Sequence, residues 1–356
     1  MGRRCRTTVT GVAAVLAAVA WQGCRASDAD RGPRVVIITV PPADKGGPDT
    51  RDDIGGRVVG ARAGHRVVIF SKSRVWWVQP EGRRPYTTIA PDGSWKNWTH
   101  LGTEYAVLLV EPSYVPPTST EALPTTGAGI VAATVVPGDP SKRPVRHTLQ
   151  FGGYEWQARA APSDRGGAND YDPANAWTDE QGAMHLRIAR TAPDWTCAEV
   201  SLERRLGYGL YRFVVRDVSH LEPAAVLGLF TWDGPAADEN HREMDIEISR
   251  WGDPAGRNAR YLVQPYYLVA NLAPFVAPPG VLTHWLRWEP GRATFRTVRG
   301  AGDDPRGPAV AEHVFTQGVP APGNEQVRMN LYAFRRGATQ LQRGTEVVIE
   351  KFAYSP

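Results

Sequence analysis

EMDIEISR, residues Glu243–Arg250, sets Glu243, Asp245 and Glu247 at alternate positions with Met244, Ile246 and Ile248 between and after them. Side chains of a strand point to opposite faces in turn, so a period of two puts the acids on one face and the apolar residues on the other. Burial in a core accounts for the apolar row. The acidic row needs another reason, because carboxylates about 7 Å apart repel by ~0.6 kcal/mol in water and ~2 kcal/mol at an effective dielectric near 20. Retaining glycoside hydrolysis offers one, since it needs an ionised carboxylate beside a protonated carboxyl, about 5–5.5 Å apart. Glu243 and Glu247 would stand about 13 Å apart at their Cα atoms on a straight strand. Side chains leaning together on an inward-curving sheet would close that gap. Crowding by Asp245 is expected to raise the pKa of at least one member, with the trio titrating as a coupled set. A solvated edge strand and a calcium site built from the same oxygens compete with catalysis, and the alternation alone does not separate them.

The rest of the chain sets the frame. Its 356 residues suit two domains with a core in each. With 36 Gly and 30 Pro the chain is punctuated too often for long helices, which points to short strands and turns and an all-β class. Residues 1–26 read as a signal peptide. Arg3, Arg4 and Arg6 precede the apolar run Val12–Trp21, too short for a comfortable permanent span. Gly23-Cys24 ends that run and resembles a bacterial lipoprotein cleavage site, which implies a lipidated Cys24 and a cell-envelope lipoprotein; ordinary cleavage would give a secreted protein. Three of the 41 Lys and Arg lie in the leader's basic region, leaving 38 against 37 acids, so the basic pI says little about partners. No clustered basic surface argues for nucleic acid. With Cys5 and Cys24 in the leader, Cys197 stands alone and reads as a small buried hydrophobe. No CxxC or HExxH supports zinc, and His185, His220, His284 and His313 lack ligand spacing.

Residues 27–136 read as an accessory β-sandwich of immunoglobulin kind. Its strand runs are 35–40, 67–70, 75–78, 105–110 and 130–136, separated by Gly/Pro/Asp clusters. Trp76, Trp77, Trp95 and Trp98 fall here. Adjacent Trp76 and Trp77 point to opposite sides of one strand, so at least one enters the core, and core packing is weighed above sugar binding. PGDPSKRP begins a linker over 137–146, and the second domain occupies 147–356.

In that second part E-x-D-x-E on an alternating strand resembles the catalytic signature of glycoside hydrolase family 16, β-jelly-roll enzymes that cut β-glucans, galactans and related polysaccharides with retention. Further segments follow in the family's order: LGYGLYRFV at 206–214, WEPG at 288–291 with Phe295, and MNLY at 329–332. The likeness runs from about Phe151 to Pro356. It implies a concanavalin A-like jelly roll hydrolysing internal β-linkages, with Glu243 as nucleophile, Glu247 as acid and later base, and Asp245 as helper. Gln264 and Tyr266 in VQPYY are similar to a substrate-binding segment, and Trp288 is a sugar platform or a core residue. Trp232 in GLFTWDG and Trp251 in SRWGD border the cleft, Trp251 on the catalytic face if the strand continues. His241 stands where some members place a sugar-stacking tryptophan, and RTVRG at 296–300 replaces the usual Y-V-D-G. The five-residue spacing matches the regular strand of mixed-linkage glucanases and xyloglucan-active enzymes. The expected partner is a polysaccharide substrate, with no cofactor, a structural calcium being compatible with the sandwich, and the chain expected as a monomer. A transglycosylase using the same intermediate and a carbohydrate-binding protein without turnover are the alternatives, the intact trio disfavouring the second.

Overall fold

The computed structural model describes residues 32–163, 166–191, 194–234, 240–304 and 306–356. The leader with Cys24 lies outside the described residues. The chain is all-β, and its larger part is a jelly-roll sandwich of two sheets. The first sheet runs Leu272–Phe275, Ala259–Val263, Met244–Ile248, Ala225–Trp232, Gln326–Ala333, Asp194–Leu202, Tyr154–Ala158 and His147–Phe151, each antiparallel to its neighbour. The second runs Ala176–Thr178, Met184–Thr191, Thr345–Ser355, Gly209–Val215, Leu282–Glu289, Arg292–Arg299 and Ala309–Phe315. A hairpin pairing of Thr191 with Asp194 carries the chain from one sheet to the other. Between them Met244, Ile246 and Ile248 pack with Trp156, Trp288, Phe295 and Phe352, so the apolar half of EMDIEIS is core. Cys197 is fully buried there, and burial pushes its thiol up to about 12.

Buried His284, on Leu282–Glu289, bonds Thr297 Oγ1 through Nδ1 at 2.9 Å, and burial pushes its pKa from 6.5 down to about 4. A base held neutral by folding contributes stability in full above its unfolded pKa, and loses it as pH falls through 6.5 toward 4. Urea titrations should therefore show wild-type stability falling across that window by about 3 kcal/mol more than in His284→Gln. Parallel profiles for the two proteins would contradict this role.

The N-terminal residues form a second, smaller sandwich. A three-stranded sheet, Arg34–Thr39, Arg51–Val59 and Ser94–His100, faces a sheet built on Val75–Gln79, Arg66–Ser73, Glu104–Val110 and Ile130–Pro137, with short Tyr86–Thr87 and Ser119–Thr120 at its margins. Ile54, Trp95, Val67, Ile69, Tyr105 and Val107 fill the space between. Trp76 and Phe70 pack on the other side of the larger sheet. All five expected runs are strands. Arg51–Val59 and Ser94–His100 were not expected, because Gly55-Gly56 and the polar SWKNWTH obscure the alternation that a strand shows in sequence.

The stretch 137–146 is tied down rather than free. Gly138 donates to Thr103 O at 3.0 Å and Asp139 donates to Pro41 O at 2.8 Å. Only glycine fits at 138, since a Cβ there would lie 2.5 Å from Ala43 Cα. Arg146 then bridges the sandwiches, pairing with Asp44 at 2.9 Å and Glu203 at 3.4 Å.

Candidate active site

Glu243 enters its strand from a turn in which His241 (φ 47°) and Arg242 (φ 51°) are both left-handed. Two adjacent non-glycine residues in that region cost roughly 1–3 kcal/mol each, so the surroundings must impose the turn. Buried Asp233 does much of this. Its backbone N–H donates to His241 O at 2.6 Å, and its Oδ2 accepts from Arg242 Nη1 at 2.9 Å. Thr231 Oγ1 donates to Arg242 O at 2.8 Å, and Asn240 Oδ1 accepts from Arg242 N at 3.0 Å. Glu243 N then donates to Asn240 O at 2.8 Å, and Gln264 N donates to Glu243 O at 3.1 Å.

Glu243, Asp245 and Glu247 share the face of the first sheet turned away from the core, and they are only 8%, 4% and 9% exposed. A solvated edge strand is thereby excluded, since Met244–Ile248 has a neighbour on each side. Register sets their company. Glu247 stands beside Arg260 on one side and Gly228 on the other, and Gly228 faces Asn330, which faces Glu199. Arg260 Nε donates to Glu247 Oε2 at 2.5 Å, while its guanidinium lies 4.0 Å over the Trp251 ring. Asn330 Nδ2 donates to Glu199 at 3.4 Å, and its Oδ1 would sit 2.6 Å from a Cβ at 228, so glycine there is what lets the Asn330 side chain lean in next to the trio's strand.

Farther along the same face lies a charge network that joins the two sandwiches. Arg328, 1% exposed, donates to both carboxylate oxygens of Asp49 at 2.8 and 3.1 Å and to Glu199 at 2.7 Å. Glu199 also pairs with Arg159 at 3.1 Å, and Ser201 Oγ donates to Asp49 at 3.0 Å. Arg328 further lies 4.9 Å over the Trp232 ring. The segment around Asp49 thus rests on the first sheet two strands from the trio, about 10 Å away.

Of the residues singled out from sequence, the trio, Trp232, Trp251, His241 and Gln264 gather around this face. Trp232 lies on the strand next to the trio's, its ring 6.0 Å from His241. Trp251 sits in a turn (φ 45°) after the strand ends at Ile248, and it reaches the trio through Arg260 rather than by strand alternation. Gln264 precedes a cis peptide bond to Pro265, and its Oε1 accepts from Tyr266 N at 2.7 Å, leaving the Tyr266 side chain largely exposed. Of the two readings of Trp288, sugar platform or core, the structure removes it from the substrate-binding residues and places it in the core: it is 0% exposed, and its Nε1 donates to Pro320 O at 3.0 Å. Arg260, Glu199, Arg328, Asp49 and Arg159 were missed. Arg328 and Asn330 alternate with Val327, Met329 and Leu331, and Glu199 and Ser201 with Ala198, Val200 and Leu202, the same period-two signal as in EMDIEIS. Asp49 carries no such pattern. Among the described residues no group of three or more His, Cys, Asp or Glu is placed to hold a metal ion.

No protein-family model and no curated protein matches the chain. Among solved structures it is similar to the Bacillus licheniformis β-glucanase, at 17% identity and TM-score 0.45, over 59% of this chain and 98% of that one. It is similar also to a glycoside hydrolase family 16 endo-glucanase from Bacteroides ovatus, at 11% identity and TM-score 0.44, over 56% and 94%. A third is a pseudo β-1,3-glucanase of Mycobacterium tuberculosis, at 16% identity and TM-score 0.42, over 59% and 95%.

Proposed function

We propose that this chain is a retaining glycosidase that hydrolyses a β-linked polysaccharide at internal bonds. The observation that carries the reading is the burial of three carboxylates along one sheet face, an arrangement that costs repulsion and desolvation unless it is used. Glu243 attacks the anomeric carbon as Glu247 gives its proton to the departing glycosidic oxygen, and a glycosyl ester forms on Glu243. Glu247 then takes a proton from water, whose oxygen attacks the same carbon and releases Glu243. Arg260 holds Glu247 through Oε2, which leaves Oε1 to carry the transferable proton. Asp245 lies between the two on the same face of the strand, the position of a helper to both. The leader adds export to this reading, and Cys24 a lipid anchor.

The test is a panel of β-glucans, xyloglucan, galactans and agar incubated with residues 27–356, followed by product sizing and proton NMR during turnover. The expected result is depolymerisation of one class with the β-anomer appearing first. An α-anomer as first product would overturn the mechanism, and an intact panel would overturn the assignment to hydrolysis.

A further inference from the structure

A cavity of about 610 Å³ lies between the two sandwiches. The N-terminal side gives it Trp77, Pro80, Thr118 and His100, and the C-terminal side gives Arg159 and Trp232. Trp232 belongs to the strand beside the trio's, so the cavity wall includes a residue of the catalytic strand's immediate neighbour.

Both walls are fixed. Trp76 turns into the core of the N-terminal sandwich, which sends neighbouring Trp77 out the other way, where its Nε1 donates to Ser73 O at 3.4 Å. Gly47 and Pro48 line the cavity next to Asp49, whose double contact with Arg328 holds the two sandwiches together. The volume falls within the range of pockets that take a small organic ligand. Its chemistry is that of a neutral polyhydroxylated one: the indoles of Trp77 and of Trp232, the latter with Arg328 over its ring, and a proline ring for the apolar sides of sugar rings, with amide, hydroxyl and guanidinium groups for their hydroxyls. Charge is nearly balanced, Glu81 and Arg83 both lining the cavity and Arg159 committed to Glu199. Half-buried His100 is neutral at ordinary pH, because desolvation first and then Arg159 lower its pKa to about 3.

We infer that this cavity is an extended saccharide-binding site, in which the N-terminal sandwich uses Trp77 to hold β-linked sugar units that run past Trp232 from the bond being cut. It rests on the reading of the trio as hydrolytic only for where the chain is cut, since saccharide binding in the cavity can be measured without turnover. The N-terminal sandwich is then part of the substrate site and not a separately acting binding module.

The experiment uses β-glucan oligosaccharides from disaccharide to octasaccharide. Cleavage gives kcat/KM against length, and tryptophan-fluorescence titration of a Glu243→Gln background gives affinity. Two variants are compared with their parents: Trp77→Ala, and Thr118→Trp, an exposed position where a larger side chain fills the cavity mouth with little effect on folding. The expected result is that both variants lose about tenfold in kcat/KM and affinity for the longest oligosaccharides, the scale of one aromatic contact, and nothing for the shortest that binds. An equal loss at every length, or none, overturns the inference. If the wild type cuts none of the series, β-glucan cleavage fails by itself, and the titrations still decide the cavity: length-dependent weakening supports it, and unchanged affinity removes it.

Discussion

Glu243→Gln is expected to lower kcat on the order of 10⁴-fold or more, the scale seen when a covalent nucleophile is removed. The substitution keeps the size of the side chain and ends its ability to form the glycosyl ester. Saccharide affinity should change little, because the sugar is also held by surfaces away from the reacting carbon. Glu243→Gly goes further: it leaves a hole in which azide can attack the same carbon from the same side as the lost carboxylate. Direct attack by azide inverts the β-linked anomeric carbon once, so azide should restore turnover with a product of the opposite, α configuration. An α-glycosyl azide is accordingly the expected product, and its absence under conditions that rescue nothing else would move the nucleophile to Asp245 or Glu247. Full activity in Glu243→Gln would remove the assignment outright.

The second large effect concerns stability. Arg328→Met should destabilise the folded chain by about 3–5 kcal/mol, since removing one partner of a buried ion pair leaves the other charges uncompensated. Here the charges left behind are Asp49 and Glu199, and Ser201, Arg159 and Asn330 satisfy them only in part. Asp49→Asn, which keeps the shape and one acceptor, should cost less, about 1–3 kcal/mol. Urea unfolding monitored by tryptophan fluorescence measures both. A loss below about 1 kcal/mol for Arg328→Met would mean that the network contributes little net stability.

The first sheet's working face was readable where polar and apolar residues alternate without interruption. EMDIEIS shows the trio, and its apolar partners fall in the core as period two requires. Other residues on that face depend on which strands become neighbours. Arg260 meets Glu247 because Ala259–Val263 pairs with Met244–Ile248 in one register, a relation fixed by the length and shape of the loop between them. Arg328 and Asp49 are 279 positions apart, and no local pattern connects them. Trp251 was placed near the site by extending a strand that in fact stops at Ile248, and it arrives there through a stacked guanidinium. Trp288 could not be assigned from sequence because an indole serves a core and a sugar platform equally well, and only its burial decides.

The position of Thr345–Ser355 bears on when the fold can form. This strand lies between Met184–Thr191 and Gly209–Val215 in the interior of the second sheet. The two flanking strands are translated more than 100 residues earlier, yet they cannot join into one sheet until it arrives. The pairings of Thr345–Ser355 and of Gln326–Ala333 with their neighbours join residues 94 to 165 positions apart, which makes for slow folding dominated by late loop closure. The larger sandwich therefore stays incomplete until nearly the whole chain has been made, and its last strand acts as the catch that closes it.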